Sequence, residues 1–339
     1  MNFTLTKKSL TIRIFFLCLL ACLNAAGARA QTQTPSPALV VLDKEDNMLS
    51  IIDPATSKTI ARIPTGDGPH EITASDDGKL AFVANYGART PGNTISVIDL
   101  VAQKELRRME LGALRRPHGI TFADAKIWFT AEQNRLIARY DPASNQIDWL
   151  LGLGQNGTHM LVFSKDRSKI FTSNIGSDSL TLLERSADSV GWSATNISVG
   201  KGPEGADISP DGRECWAANS GDGSISIIEV AAKKVVATLD VQTGRSNRLK
   251  FSPDGKLVLV SDLGNNALLV LDAASRKEVK RLNLGRQPEG ILIVPDGSRA
   301  YVAVAGESAV AVLDLKTLDV TSRIPTGKGP DGMAWAVRH

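Results

Sequence analysis

The feature that most constrains this chain is a phrase that keeps returning. Ser209-Pro210-Asp211-Gly212 recurs as Ser252-Pro253-Asp254-Gly255, with looser copies at Ser75-Asp76-Asp77-Gly78, Ser164-Lys165-Asp166 and Val294-Pro295-Asp296-Gly297. Upstream of each lies a short apolar segment opened by proline or a substitute. The openings fall at Pro69, Pro117, Thr158, Pro203, Ser246, Pro288 and Pro330, with steps of 41 to 48 residues and a mean of 43.5. A unit repeated at this period cannot bury its apolar faces alone and must stack on its neighbours.

Each unit reads as four short strands. In the fourth, residues 204–208, 214–219, 224–229 and 235–241 are rich in β-branched side chains, and Ser224 and Ser226 alternate with Ile225 and Ile227. Gly, Asp and Asn punctuate the gaps, as hairpins require, and no stretch after the leader sustains a helical period. A four-stranded unit of this length is the size of a propeller blade. The last opening, Pro330 to Trp335, has no strands after it, whereas residues 39–43, 49–53 and 58–63 are three strands with no first strand before them. The sequence therefore predicts an all-β, seven-bladed propeller over residues 38–339. Its blades are four-stranded and antiparallel, and the C-terminal strand completes the N-terminal blade, removing two open sheet edges.

Residues 1–30 read as an address. Lys7, Lys8 and Arg13 precede an apolar run from Ile14 to Leu23, and Ala28-Arg29-Ala30 is an A-x-A cleavage signature. This is the layout of a secretory signal peptide cleaved after Ala30, with residues 31–37 as a linker and a periplasmic or secreted destination; the run is too short to span a bilayer. Leu19-Leu20-Ala21-Cys22 is an alternative lipoprotein box. No other segment is apolar for long enough to cross a membrane. Cys18 and Cys22 fall in the leader, so Cys215 alone would remain and no internal disulfide is expected. Cys215 lies in an apolar strand pattern and reads as a buried, inert thiol. The formal charge of +3 also belongs to the leader: without it, 35 basic residues face 36 acidic ones. That balance, with 5% aromatic residues, argues against nucleic acid as a partner.

Leu80-Ala81-Phe82-Val83-Ala84-Asn85, Thr94-Ile95-Ser96-Val97-Ile98-Asp99 and Ile63-Pro64-Thr65-Gly66-Asp67-Gly68-Pro69 resemble the repeat of YVTN-type β-propellers, which include periplasmic YncE-like proteins. The resemblance covers residues 38–339. It implies the fold strongly and the function weakly; single-stranded nucleic-acid binding is one activity it allows. Pro117-His118-Gly119-Ile120, Ile127 to Glu132 and Asn134-Arg135 are similar instead to the repeat of streptogramin B lyases, also seven-bladed.

In a propeller the first strand of every blade lines the central channel, so residues at one repeat position form a ring. The position after each opening reads His70, His118, His159, Glu204, Asn247, Glu289 and Asp331. Three histidines thus occupy adjacent blades, with the acids opposite. This ring is the candidate ligand site. His70, His118 and His159 are candidate ligands for a divalent metal ion; His118, Glu132 and His159 are candidate catalytic residues, with Glu132 or Glu204 orienting a general base. A tolerated, hydrated histidine of the repeat is the plain alternative. A second ring is read at the end of strand two, as Asp43, Asn85, Glu132, Asn174, Asn219, Asp262 and Ala305, where Asn and Asp also serve as turn caps. Arg107, Arg108, Arg115 and Arg116 form one basic patch on a long connection, read as a solvated face or an anion site. No Gly-x-Ser-x-Gly elbow, P-loop or strand–helix dinucleotide fingerprint is present.

These readings lead to a non-enzymatic, monomeric binding platform for a protein or small-molecule ligand at the channel face. A metal-assisted lyase or hydrolase at the channel mouth is the alternative, and single-stranded nucleic-acid binding the third.

Overall fold

The computed structural model describes residue 1, residues 32–185 and residues 191–339. The leader features, including Cys18, Cys22 and Ala28-Arg29-Ala30, lie outside the described residues. The chain divides into a unit Met1–Gln33 and a unit Thr34–His339, and the second is the propeller.

Its strands form seven four-stranded antiparallel sheets. Blade 1 joins the C-terminal strand Pro330–Ala336 to Ala38–Asp43, Met48–Asp53 and Lys58–Pro64. The closing register sets Leu39 against Trp335, Val40 against Ala334 and Val41 against Met333. Blades 2 to 7 open with Pro69–Ala74, Pro117–Ala123, Thr158–Phe163, Pro203–Ile208, Ser246–Phe251 and Pro288–Ile293. These inner strands and Pro330–Ala336 touch one another in cyclic order and enclose the axis.

The recurrent turn forms because its residues satisfy one another. Ser209 Oγ donates to Asp211 Oδ1 at 2.6 Å and accepts from the Glu214 N–H at 3.0 Å, while Asp211 Oδ1 also takes the Arg213 N–H at 3.0 Å. Gly212 sits at φ 73°, a conformation that costs glycine little. Ser252 and Asp254 repeat the arrangement.

Middle strands bury both faces because each blade is sandwiched between two others. In blade 1, Val40 and Leu42 pack with Val83 and Ile98 of blade 2. Their alternating neighbours Leu39 and Val41 pack with Tyr301 and Val312 of blade 7. Outer strands face water on one side and alternate accordingly, as Lys234–Asp240 does. Cys215 is fully buried among Phe171, Leu182 and Ile228, and burial pushes its thiol pKa well up, so it is an inert core residue. Among the described residues, no helix is long and apolar enough to cross a membrane.

Candidate functional site

The inner strands bring together the whole ring read from the sequence. Blade by blade from 2 round to 1 it runs His70, His118, His159, Glu204, Asn247, Glu289, Asp331. It divides into two arcs.

On blades 2 to 4 the imidazoles touch. His118 and His159 stack with centroids 3.6 Å apart and planes 29° apart, and His70 lies 5.4 Å from His118. Tyr86 joins them, 4.8 Å from His70 and edge-on to His118 at 5.3 Å. Burial drives the His118 pKa well below the usual imidazole value, and the neighbouring His159 and His70 add to the effect. Burial also lowers that of His70, whose Nδ1 bonds the Gly68 carbonyl at 2.9 Å. His159 Nδ1 lies 2.8 Å from Glu132 Oε2, and Tyr86 Oη donates to Glu132 Oε1 at 2.9 Å. Burial opposes the Glu132 charge, but the bonds from His159 and Tyr86 outweigh it and hold the carboxyl below its ordinary pKa. Burial first, and then the Glu132 charge, push Tyr86 up to about 12.

On blades 5 to 7 and 1 the contacts are ionic. Lys44 Nζ donates to Glu289 at 2.5 Å and to Asp331 at 3.2 Å. Arg248, 5% exposed, crosses the channel to Glu71 of blade 2 and also lies 3.7 Å from Glu204 and 3.8 Å from Asp331. Asn247 Nδ2 donates to Glu204 Oε1 at 2.5 Å. Burial and the adjacent Asp331 charge raise Glu289 to about 7, against the pull of Lys44. Burial opposes the Asp331 charge too, but Lys44, Arg248 and His70 together bring its pKa below the ordinary value.

Four of these residues were not singled out by the repeat. Arg248 and Glu71 occupy the next position along the inner strand, where the other blades have Gly119, Met160, Gly205, Gly290 and Gly332. The glycines are needed there. A Cβ on Gly290 would lie 2.2 Å from the Asp331 carbonyl oxygen, and one on Gly332 would lie 2.4 Å from that of His70. Opposite charges in a glycine column were the available signal. Lys44 and Tyr86 share a register with Glu132, and this corrects the second ring. Pro203 pairs with Asn219, but Pro117 pairs with Ala131 and Pro288 with Val304. The register-equivalent residues in blades 3 and 7 are thus Ala131 and Val304, not Glu132 and Ala305. In blade 3 the cause is a tighter hairpin turn, with Asp124 and Ala125 both at positive φ. Lys44, Tyr86, Glu132, Ile175, Ser220, Leu263 and Ala305 instead form a ring of their own. Each donates its N–H to the carbonyl just before a blade opening. The Asn and Asp residues left in the second ring tie strands together. Asn85 accepts from the Gly66 N–H and donates to Thr94 and Ser96, and Asp262 accepts from the Gly244 and Arg245 N–H groups.

The side chains do not fit the expected three-histidine metal centre. Such a centre needs three ring nitrogens aimed at one point about 2 Å from each. His118 and His159 lie face to face instead, and the Nδ1 atoms of His70 and His159 are spent on Gly68 and Glu132. Among the described residues, no three His, Cys, Asp or Glu side chains are grouped to hold a metal. Of the basic patch, Arg116 reaches the site, its guanidinium 4.5 Å from the Tyr86 ring centre. Arg107 bonds the Pro142 carbonyl and Arg108 pairs with Glu105.

A family model described as a YNCE-like beta-propeller matches residues 16–205, more than half of the chain. The chain belongs to the YncE-like β-propeller family. No curated protein matches it. Solved structures similar to this YncE-like chain show the same fold. One is Kuenenia stuttgartiensis hydrazine synthase, 20% identical, with a TM-score of 0.68 over 79% of this chain and 89% of that one. Another is a functionally unknown protein from Desulfotomaculum acetoxidans, 14% identical, with a TM-score of 0.73 over 90% of this chain and 100% of that one. A third is a periplasmic gluconolactonase from Pseudomonas aeruginosa, 16% identical, with a TM-score of 0.73 over 89% of this chain and 99% of that one.

Proposed function

We propose that this YncE-like propeller is an exported binding platform whose ligand is a small polar molecule seated at the channel mouth. The leader of residues 1–30 supports export to the periplasm or beyond. One observation carries the binding reading. His118 Nδ1, His159 Nε2, Asn247 Oδ1, Arg248 Nη1 and Asp331 Oδ1 are buried without a hydrogen-bond partner, and all belong to this one cluster. Buried polar atoms are costly to leave unpaired, so five in one place mark a site built to pair with something else. A ligand-observed NMR screen of polar metabolites against the full chain tests this. Binding should be lost in a His159→Ala/Asn247→Ala double variant that keeps its β circular dichroism. Hits that bind the double variant equally well would move the site elsewhere, for example to the 620 Å³ cleft beside Asp211, Phe251 and Arg276.

The Tyr86–Glu132–His159 chain favours a second reading, in which the bound molecule is hydrolysed without a metal. Glu132 fixes the ring so that Nδ1 carries its proton and Nε2 is left to act as a base. For a lactone or ester, Nε2 takes a proton from water and the hydroxyl oxygen bonds to the acyl carbon. The acyl carbon–oxygen bond then breaks, and the proton passes from Nε2 to the departing oxygen. The periplasmic gluconolactonase among the similar structures makes a sugar lactone a sensible substrate to try, beside p-nitrophenyl acetate. A general base contributes about 100-fold or more, so His159→Ala should lower kcat/KM by at least that factor. Turnover unchanged in the variant would remove this reading.

A further inference from the structure

We infer that the molecule bound at the channel mouth presents a protonated amine. The inference rests on the binding reading above and names its ligand class.

The first argument is the sense of the unpaired atoms. The carboxylate partner places the His159 proton on Nδ1, so in that tautomer Nε2 offers a lone pair. Asn247 spends its amide N–H on Glu204 and leaves Oδ1 as an acceptor, and Asp331 Oδ1 is another. His159 Nε2 and Glu204 Oε1 face each other 4.0 Å apart. Two acceptors at that separation have no hydrogen between them, yet one nitrogen can sit about 2.8 Å from both and donate to each.

The second argument is charge. Five carboxyl groups, Glu71, Glu132, Glu204, Glu289 and Asp331, line the mouth with Lys44, Arg248 and, beside Tyr86 and Glu132, Arg116. Burial raises the pKa of Glu71 and Glu289, the latter to about 7. Arg248 Nη1 makes no hydrogen bond, but it lies 3.7 Å from Glu204 Oε1 and is paired there by charge. Lys44 is held by Glu289 and Asp331, and Arg248 is divided among Glu71, Glu204 and Asp331. Glu132 is bonded by Tyr86 and His159 and by neither Lys44 nor Arg248. A carboxylate or phosphate ligand would bring its acceptor oxygens against Glu204, Asp331 and the His159 Nε2 lone pair, with Lys44 and Arg248 both committed elsewhere. A neutral alcohol has one hydrogen to donate, where His159 Nε2 and Glu204 Oε1 ask for two. A bare metal ion lacks a convergent donor set among the described residues. An ammonium group meets both demands.

The third argument is the wall. Tyr86, His70 and His118 place three rings within 4.8 to 5.4 Å of one another beside Glu132. Arg116 over Tyr86 shows that this surface already accepts one cation on a ring face.

Three probes of one shape test the inference on the full chain: butylamine, butyrate and 1-butanol. The readout is the ¹⁵N resonance of the His159 imidazole together with the titrated affinity. Butylamine alone should shift the Nε2 signal saturably. Glu204→Gln should weaken it by about 10- to 100-fold, the range for losing a charge-assisted hydrogen bond. Butyrate or butanol titrating as tightly as the amine would overturn the amine class and leave the binding reading standing. If none of the three perturbs His159, the amine inference fails, and the metabolite screen decides the binding reading by itself. Should Glu204→Gln fail to fold, the ranking of the three probes on the parent chain still decides the ligand class.

Discussion

The two arcs of the channel mouth occupy the same position of the same repeat and do opposite things with it. On blades 2 to 4 that position holds imidazoles that stack on one another, and burial holds His70 and His118 below the ordinary imidazole pKa. On blades 5 to 7 and 1 it holds acids bound to Lys44 and Arg248, which reach in from neighbouring registers, and an amide that donates to Glu204. A ring built by duplication is therefore not a ring in energy. One arc is a stack of imidazoles with unspent nitrogens, and the other a cross-linked set of charges. The first supplies lone pairs and the second supplies rigidity and negative potential.

Deleting residues 330–339 attacks both arcs at once. It removes Asp331 and the strand that pairs with Leu39, Val40 and Val41, exposing a sheet edge. Size-exclusion chromatography and thermal melts should show an unfolded or oligomeric product. A monomer as heat-stable as the parent would contradict the closure.

Arg248→Ala attacks only the charged arc. It leaves Glu71, Glu204 and Asp331 without their shared cation inside the channel, and breaking a buried pair from one side costs about 3–5 kcal/mol. Urea denaturation measures this, and a loss below about 1 kcal/mol would show that the strut carries little.

Acidity separates the arcs by sign. Glu289 keeps its proton in the fold up to about 7, whereas its unfolded value is near 4.5. The native state then binds more protons across that window, and its contribution makes stability fall as pH rises from 4.5 to 7, by about 1–3 kcal/mol in all. His118 is held below 6.5, so the unfolded chain binds more protons than the native one as pH falls below that value, and stability falls with it. Denaturation midpoints from pH 4.5 to 7.5 should show Glu289→Gln removing the alkaline-side loss and His118→Gln easing the acid-side loss. The same slope change in both variants would erase the distinction between the arcs.

Tyr86→Phe is the finest test. It removes one hydrogen bond to Glu132, worth about 1 kcal/mol, and leaves the ring contacts with His70 and His118 in place. The melt should fall slightly while the His159 resonance moves clearly. No movement at His159 would mean that the tyrosine does not help set the histidine.

Much of the fold was legible because it is local. The seven openings from Pro69 to Pro330 are the first residues of the seven inner strands, and the missing first strand of blade 1 is the C-terminal one. Period-2 alternation and turn chemistry set hairpins within a few residues, so they are written along the chain. The ring of first-strand residues was legible for the same reason. The second ring was misjudged at Glu132, because the tighter turn of blade 3 moves its register and only pairing shows where it lands. At Ala305 the reading fell one residue late, since Pro288 pairs with Val304 at the same spacing as Pro203 with Asn219.

What the sequence could not determine is which ring members meet across the axis. Arg248 and Glu71 are 177 residues apart, and Lys44 reaches Glu289 and Asp331 from the other end of the chain. Those pairings depend on the width of the closed channel and on rotamers chosen under burial, and no repeat period encodes either. The repeat by itself fixed seven blades and put three histidines beside three acids and an amide. Only the closed ring, by taking them out of water together, decided which would stack, which would be cross-linked, and which nitrogen of His159 would be left facing Glu204.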